Sequence, residues 1–564
     1  PGHVAPMPRG SGVLAAGGAD VPGVAALRMG VQEGEAAVGV DWAVWSPVLW
    51  RWGGGALLLG LSGLCLMLVV HPQWSAYERL PYPIATFLDR VTAGGESGGQ
   101  GVLGSRLFWF GFAGVAGLHL VNGLAAWDLS FVAIPLQFDL WPLTQLFPNS
   151  DRTGGSFALF RPALLPTMVG FAWFLSARVA LSVGLANFVW VAFGMALMAG
   201  GVSLSTQADG HAGGLLSLGA YLGVALVIAY TGRRYYAAVA RAVVGLGGGA
   251  RGVTATSVWA ARALIALLAL TTAWLSAAGL HWTLALGFVA LMLLVYLVIA
   301  RVNAETGMLF LQPAFNPAVV LVGLLGLPAL GPTAVLVLWI ASVMLLGDPR
   351  QTVTAYVANA LRLGERGAAA PPARLAPWLA VMLAVALAVT LVSTLVLQSR
   401  VGFNHSDWPA LQLQPAAPFE HTGRLVAAAS ATGTPLAVDA SDGAGWWARL
   451  TVDAEPWLWV AGGAVLVMAC GAAMLRLPWG PLHPVLLVVW GTLPSMWFGW
   501  SFLLGWALKA GVVRTGGAAA YRRATPLFVG LIAGEMLACL GWLLVGGVYY
   551  LSTGVTPPPY IVFP

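Results

Sequence analysis

Long apolar runs separated by short polar connections dominate the chain from residue 53 onward. Most of these runs hold the roughly 20 residues that a helix needs to cross a bilayer. Three others, near residues 164–176, 307–327 and 484–493, are short or interrupted by Gly and Pro. The pattern predicts an all-α polytopic integral membrane protein with about 12 to 14 transmembrane segments, including short broken or re-entrant helices.

Polar stretches divide the chain into four consecutive segments. Residues 1–52 form an N-terminal extension that ends in an interfacial, Trp-rich stretch broken by Pro47. Residues 53–398 form the main transmembrane bundle, residues 399–456 an extracytoplasmic polar loop, and residues 457–564 a C-terminal transmembrane bundle. Within the main bundle, residues 351–363 carry apolar side chains at helical spacing beside arginines, which predicts an amphipathic interfacial helix.

Composition agrees with this membrane interpretation. Hydrophobic residues make up 59% of the chain, charged residues only 9%, and the mean hydropathy is +0.82, which cannot cover a soluble surface. Most of the 27 basic residues fall in connections on one side of the predicted spans, so the net charge of +6 reflects topology with an outside N-terminus rather than nucleic-acid binding. We therefore expect a multi-pass protein of a bacterial inner (cytoplasmic) membrane, with membrane lipids as partners and no nucleic acid.

Neither metal nor enzyme chemistry is expected from the sequence. The three cysteines lie far apart in apolar runs and offer no disulfide framework and no metal-ligand spacing, so no metal and no cofactor are predicted. The sequence holds no phosphate-binding loop, no H-E-x-x-H and no C-x-x-C, and no G-x-S-x-G in a strand–turn–helix context. We conclude that the chain is not an enzyme.

The most polar interruption of the apolar sequence is R-V-N-A-E-T-G-M-L-F-L-Q-P-A-F-N-P at residues 301–317. Polar and helix-breaking residues are costly at membrane depth unless they line a cavity or bind a ligand. The candidates for a substrate or ion pathway are Arg301, Asn303, Glu305 and Asn316, and the candidate structural breaks are Gly307, Pro313 and Pro317.

Two interpretations stay open for this stretch. Arg301 and Glu305 are four residues apart, which fits a local helical ion pair as well as a transport pathway. Asn316 and Pro317 fit the end of a half-helix whose carbonyls would bind a ligand, or a simple kink.

Glu535 is a further pathway candidate because it lies in an apolar run with no basic residue beside it. Burial there favours the neutral carboxyl, which suits proton uptake and release. A structural carboxyl hydrogen-bonded to another helix is the alternative. His119 is interpreted as a packing residue, since no second His stands at helical spacing, and His483, between Pro481 and Pro484, is a weaker candidate for a proton relay.

Five stretches, taken in order, resemble the oligopeptide-transporter (OPT)-like superfamily, and in particular a bacterial branch of uncharacterised polytopic membrane proteins described only as domains of unknown function. They are Q-W-S-A-Y-E-R-L-P-Y-P (73–83), L-F-W-F-G-F…H-L-V-N-G-L (107–124), R-V-N-A-E-T-G (301–307), L-P-W-G-P-L-H-P (477–484) and T-P-P-P-Y-I-V-F-P (556–564). The resemblance covers most of the chain. It implies an all-helical fold with re-entrant segments and cation-coupled uptake of peptides or metal chelates. It also implies that Glu78, Arg79, Pro81 and Pro83 shape the mouth of a pathway.

Two functions follow from these observations. The first is a cation (proton)-coupled secondary transporter of peptides, metal chelates or similar small solutes, with coupling through Glu535 or Glu305. The alternative is a transporter-derived structural or assembly subunit of a larger membrane protein complex, without transport activity. The Trp-rich segments and the long polar loop favour this alternative, which implies a homo-oligomer or a larger membrane complex.

Overall fold

The computed structural model describes residues 40–92, 102–202, 204, 212–246, 252–308, 311–346, 352–366, 371–402, 409–433, 446–450, 453–477 and 482–562. Over these residues the only strand-like pairing is an isolated antiparallel bridge between Gln137 and Ala163. Ten of the described helices are long and apolar enough to cross a membrane. The predicted all-α, multi-pass membrane fold is confirmed.

The helices, numbered in chain order, are α1 (Trp42–Tyr77), α2 (Pro83–Thr92), α3 (Arg106–Ala126), α4 (Ser156–Leu159), α5 (Pro166–Phe174), α6 (Ala177–Ala199), α7 (Ala212–Thr231), α8 (Arg233–Val243), α9 (Ala255–Ala277), α10 (Trp282–Thr306), α11 (Pro317–Leu325), α12 (Leu327–Leu346), α13 (Val353–Arg366), α14 (Pro372–Val401), α15 (Pro409–Ala431), α16 (Ala454–Arg476), α17 (Val485–Val489) and α18 (Leu493–Thr553).

The Trp-rich stretch before residue 53 is the first part of α1, not a separate segment broken by Pro47. Helix α1 continues through Pro47 and Pro72, and a π-helical turn follows each, at Leu49–Gly53 and Gln73–Tyr77. A proline lacks the N–H of the helical ladder and its ring clashes with the carbonyl four residues earlier. A wider π turn beside the proline accommodates this mismatch, so the helix bends without ending.

The range Leu493–Thr553, labelled α18, consists of two helices that meet at Gly517. Gly517 has a φ of 62° and a ψ of −159°, which glycine adopts readily and an α-helix does not contain, so α18 has two limbs. Each limb, residues 493–516 and residues 518–553, exceeds the roughly 20 residues that a helix needs to cross a bilayer.

Short helices occupy the three interruptions that the apolar pattern predicted. Helices α5 and α11 have nine residues each and begin with a proline, and α17 has five. None is long enough to cross a bilayer alone. The prediction of short, broken helices is confirmed, and their re-entrance into a membrane stays a prediction.

The chain forms two compact units, and the first is drawn from Pro1–Leu80, Gln207–Arg301 and Phe315–Ala464. In this unit α9, α13 and α14 pack against α1. Helices α7 and α16 approach closely, since a Cβ at Gly219 would lie 2.0 Å from the carbonyl oxygen of Val460, and one at Gly463 would lie 2.0 Å from that of Leu216. Only glycine permits such contact between helix backbones.

The predicted amphipathic segment is helix α13, which contacts α1 through a polar cluster in the first unit, where His71 is buried and Glu365 is partly exposed. The imidazole of His71 lies 2.9 Å from the carboxylate of Glu365, which also accepts hydrogen bonds from Arg362 at 3.1 Å and Ser75 at 3.4 Å. Burial raises the pKa of Glu365, but the hydrogen bonds and positive charge of His71 and Arg362 outweigh it, so the pKa is lowered.

The second unit is drawn from Pro81–Thr206, Val302–Ala314 and Val465–Pro564. Helix α18 packs against α3, α5 and α6. The indole of Trp173 on α5 stacks on Phe528 of α18 with 3.9 Å between the ring centroids, and both side chains are buried. The two units interleave along the chain, and α10 and α16 each contribute residues to both. The division into four consecutive segments stays a prediction.

Candidate functional site

The first unit brings Glu78 and Arg301 together. The guanidinium of Arg301, near the end of α10, donates to the carboxylate of Glu78 and lies over the ring of Trp74 at 5.5 Å. The amide of Gln73 also donates to Glu78, at 3.1 Å. Because both charged groups are largely buried, the ion pair is held in one geometry rather than exchanging with water.

Arg79, Pro81 and Pro83 follow Glu78 closely along the chain. Arg79 is exposed with a φ of 53°, and Tyr82 has a φ of 44°, so both residues adopt left-handed backbone conformations. Pro83 is the first residue of α2. Residues 79–82 have no regular secondary structure, and whether they shape the mouth of a pathway stays a prediction.

The second unit pairs Glu305 with His483. Their atoms Oε1 and Nε2 are 3.1 Å apart, and the side chains are partly exposed. The Nδ1 atom of His483 accepts the Val485 N–H at 3.1 Å, which places the ring hydrogen on Nε2, facing the carboxylate. The backbone N–H of His483 donates to Ser182 at 2.6 Å. His483 is therefore fixed in orientation at the start of α17.

Asn303 and Gly307 shape the end of α10 in the same unit. The side-chain amide of Asn303 donates to the backbone carbonyl of Met308 at 2.6 Å, and the backbone carbonyl of Asn303 accepts the Gly307 N–H at 2.7 Å. Gly307 has a φ of 70°, and a Cβ there would lie 2.7 Å from Cβ of Pro83. The predicted break at Gly307 is therefore the real end of the helix.

Asn316 and Pro317 begin a helix rather than ending one. The side chain of Asn316 accepts the Ala318 N–H at 2.9 Å and caps α11, with Pro317 as its first residue. The half-helix with ligand-binding carbonyls that the sequence suggested at this point is not formed, because α10 has already ended at Thr306. Pro313 is buried in the second unit, whereas Asn316 belongs to the first.

Glu535 is the most deeply buried of the pathway candidates, with no exposed area. One carboxylate oxygen lies 3.4 Å from Nε2 of His119, which is also fully buried, and the other accepts the N–H of Thr167. Thr167 is the second residue of α5, so the carboxylate stands at the N-terminus of a short helix, where the peptide dipoles favour negative charge.

Tyr560 extends this site toward the C-terminal tail. Its hydroxyl is 2.9 Å from Nδ1 of His119, and its ring packs edge-on against Trp542. Burial is the main cause that raises the pKa of Tyr560 to about 12, so the hydroxyl keeps its proton. When it donates to Nδ1, the imidazole hydrogen stands on Nε2, facing Glu535. Trp542 donates to the His119 carbonyl at 3.1 Å and holds that turn of α3.

Sequence reasoning identified Glu535 but missed its partners. His119 was interpreted as a packing residue, and Thr167 and Tyr560 were not considered. Glu535 comes from α18, His119 from α3 and Thr167 from α5, so only the packing of three helices shows the site. Within the described residues no group of three or more His, Cys, Asp or Glu side chains could hold a metal ion.

The family of unknown function DUF6785 matches residues 30–557. The chain belongs to this family. No curated protein matches the chain. Membership therefore attaches no activity to the three carboxylate pairs, and the resemblance to OPT-like transporters stays a prediction.

Proposed function

We propose that this DUF6785 protein is a proton-coupled secondary transporter of small solutes in the cytoplasmic membrane of a bacterium, and that Glu535 with His119 is its proton-binding pair. The observation that carries the proposal is the burial of both side chains, at 0% exposure, among membrane-spanning helices. A carboxylate and an imidazole so placed are expensive to keep in a purely structural role.

Charge balance explains why such a pair would bind and release a proton. With one proton shared between them, the pair is neutral overall, either as two neutral groups or as an ion pair. Removing that proton leaves a net negative charge on two groups with no exposed surface, and the N-terminus of α5 offsets only part of the cost of that charge in a low-dielectric interior. Deprotonation therefore requires a conformation that admits water, and this requirement links proton release to a change of conformation.

The broken helix α5 gives that change a structural route. The N–H of Thr167 donates to Glu535, and protonation of the carboxylate would weaken this charge-assisted hydrogen bond. Helix α5 has only nine residues and is followed within three residues by α6, so its end can shift without unwinding a full span. Discontinuous helices next to ionisable groups are the usual site of coupling in secondary transporters.

The substrate class rests on the resemblance to OPT-like transporters: peptides, metal chelates or similar small solutes. Labelled tripeptides and an iron–chelate complex are the first probes. Purified protein in liposomes should take up at least one of them faster under an imposed inward proton gradient than without it. The Glu535→Gln variant should lose the gradient-dependent part, whereas Glu455→Gln, at an exposed carboxylate, should keep it.

The rival proposal is a transporter-derived structural or assembly subunit. One observation favours it: Glu535 caps α5 and His119 is held by Trp542 and Tyr560, so the pair also works as a structural connection between helices. If no probe is transported and the protein leaves gentle detergent extraction only with other subunits, the structural proposal is supported and the transport proposal is wrong. Recovery as a lone protomer or homodimer contradicts the structural proposal.

A further inference from the structure

A surface of exposed arginines lies on the short helix between two candidate spans of the first unit. Helix α8 connects α7 to α9, both of which are candidate membrane spans. Three exposed arginines of α8 and one of α9 form the surface: Arg233, Arg234, Arg241 and Arg262. At 100° per residue, the three on α8 fall within about 100° of arc. The buried side chains of α8, Tyr235 and Val239, lie on the opposite side.

The helix is fixed by contacts on its buried side. The hydroxyl of Tyr235 donates to the carbonyl of Val69 on α1 at 2.9 Å and lies 3.2 Å from the hydroxyl of Ser257 on α9. Burial is the main cause that raises the pKa of Tyr235, so this anchor stays neutral and hydrogen-bonded. The arginine face is therefore presented outward from a rigid position.

Among the described residues, no carboxylate lies close enough to form an ion pair with the arginine face. None of its four arginines forms an ion pair within the described part of the chain, and the sequence has no Asp or Glu between Asp209 and Glu305. The carboxylate whose charge acts on α8, at Tyr236, is Glu78, and Glu78 is paired with Arg301. The four arginines therefore form an exposed basic surface along α8 and the first turns of α9, which an external anion would neutralise.

The arginines also keep most of their hydrogen-bond donors available. Arg233 donates one bond to the Tyr230 carbonyl, Arg241 one to Ala237, and Arg262 one to Val243. A guanidinium has five donors, so each of these retains several that fit the oxygens of a phosphate.

Exposed apolar residues border the same face. Tyr230 and Trp259 are 67% and 66% exposed, and each carries an arginine over its ring, at 4.1 and 5.0 Å. Leu246, just after α8, is 78% exposed. Aromatic and apolar side chains beside arginines, at the ends of two spans, match the level of a bilayer where acyl chains give way to phosphates.

We propose that Arg233, Arg234, Arg241 and Arg262 form a binding site for the phosphate headgroup of an anionic phospholipid. The bordering Tyr230, Trp259 and Leu246 contact the acyl chains of the same lipid. The site is independent of the proposed transport function, because it lies in the first unit and uses none of the residues assigned to proton coupling.

The test compares retention of phosphatidylglycerol and phosphatidylcholine with identical acyl chains by native mass spectrometry of the full-length protein. The wild type should retain phosphatidylglycerol in preference. The Arg234→Gln/Arg241→Gln variant should bind it roughly 25-fold more weakly, at about 1 kcal/mol for each arginine near the membrane surface. Arg374→Gln/Arg514→Gln removes the same charge from other exposed positions and should change binding less than about threefold.

Three outcomes overturn the proposal: equal retention of the two lipids, equal loss in both double variants, or displacement of phosphatidylglycerol by millimolar inorganic phosphate alone. If the glutamine variant does not fold, the Arg234→Lys/Arg241→Lys variant is tested instead. This variant keeps both positive charges but loses the planar arrangement of guanidinium N–H donors. It should retain the lipid with an affinity within about tenfold of the wild type and lose it on raising the salt concentration. Salt-insensitive retention contradicts a phosphate site.

Discussion

The buried pair of His119 and Glu535 should be energetically coupled, and a double-mutant cycle measures that coupling. Glu535→Gln removes the charge but keeps an oxygen for the Thr167 N–H. His119→Asn keeps a polar group where Nδ1 meets Tyr560 and removes Nε2, which faces Glu535. The two variants and their combination therefore isolate the contact between Nε2 and the carboxylate.

The magnitude follows from the 3.4 Å distance and the complete burial of both groups. For an ion pair at an effective dielectric constant of 20, the direct attraction is about 5 kcal/mol. Cycles on close charge pairs give about 1.5–7 kcal/mol, so we expect a coupling of about 2–4 kcal/mol. A pair of neutral groups joined by one hydrogen bond would give only about 0.5–1.5 kcal/mol. The cycle thus also reports where the shared proton stands.

Reversible unfolding in mixed micelles, followed by circular dichroism, supplies the four free energies of unfolding. The exposed pair of Arg161 and Asp139, 3.8 Å apart, serves as a control cycle and should give less than about 1 kcal/mol. A coupling below about 0.5 kcal/mol would show that His119 and Glu535 do not interact, since substitutions of two buried side chains in contact do not have additive effects.

Two further predictions concern the parts that surround the candidate pairs. Gly307→Ala should lower the free energy of unfolding by about 1–3 kcal/mol, because φ is 70° and the new Cβ would contact Pro83. The control Gly287→Ala has open space around its Cβ and should be neutral or stabilising. Equal effects of the two substitutions in a denaturation series would contradict the helix end at Gly307. The lowered pKa of Glu365 means that its contribution to stability is complete above its ordinary value of 4.5 and is lost as pH falls through the folded-state value. Glu365→Gln should remove this acid-dependent loss from a pH series of melting curves, and an unchanged pH profile would show that the cluster with His71 does not hold α13.

The apolar pattern predicted the fold class and the positions of the short helices because both depend on local composition. A run of about 20 apolar residues has few ways to satisfy its backbone in a membrane other than a helix. Other features also depend on single residues and can be predicted from them, namely the prolines at the starts of α5 and α11 and the positive φ at Gly307.

It was harder to predict whether a helix continues through a proline and which side chains contact each other in the folded protein. Pro47 was interpreted as a break, but the π turn after it preserves α1, and nothing in the sequence signals that turn. The candidates Glu78, Glu305 and Glu535 were each found from sequence, but Arg301, His483 and His119 were not assigned to them. Each pair joins residues that are far apart in the chain, and such long-range contacts cannot be predicted from a single sequence.

In the proposed function, Glu535 and His119 bind the proton that drives transport. Proton movement can be measured with a pH-sensitive dye trapped in liposomes that hold the purified protein. When a transported solute is added outside without any imposed gradient, the wild type should acidify the interior, and Glu535→Gln should not, although it still binds the solute. Acidification by Glu535→Gln at the wild-type rate, or solute entry into wild-type liposomes without any acidification, would contradict the claim.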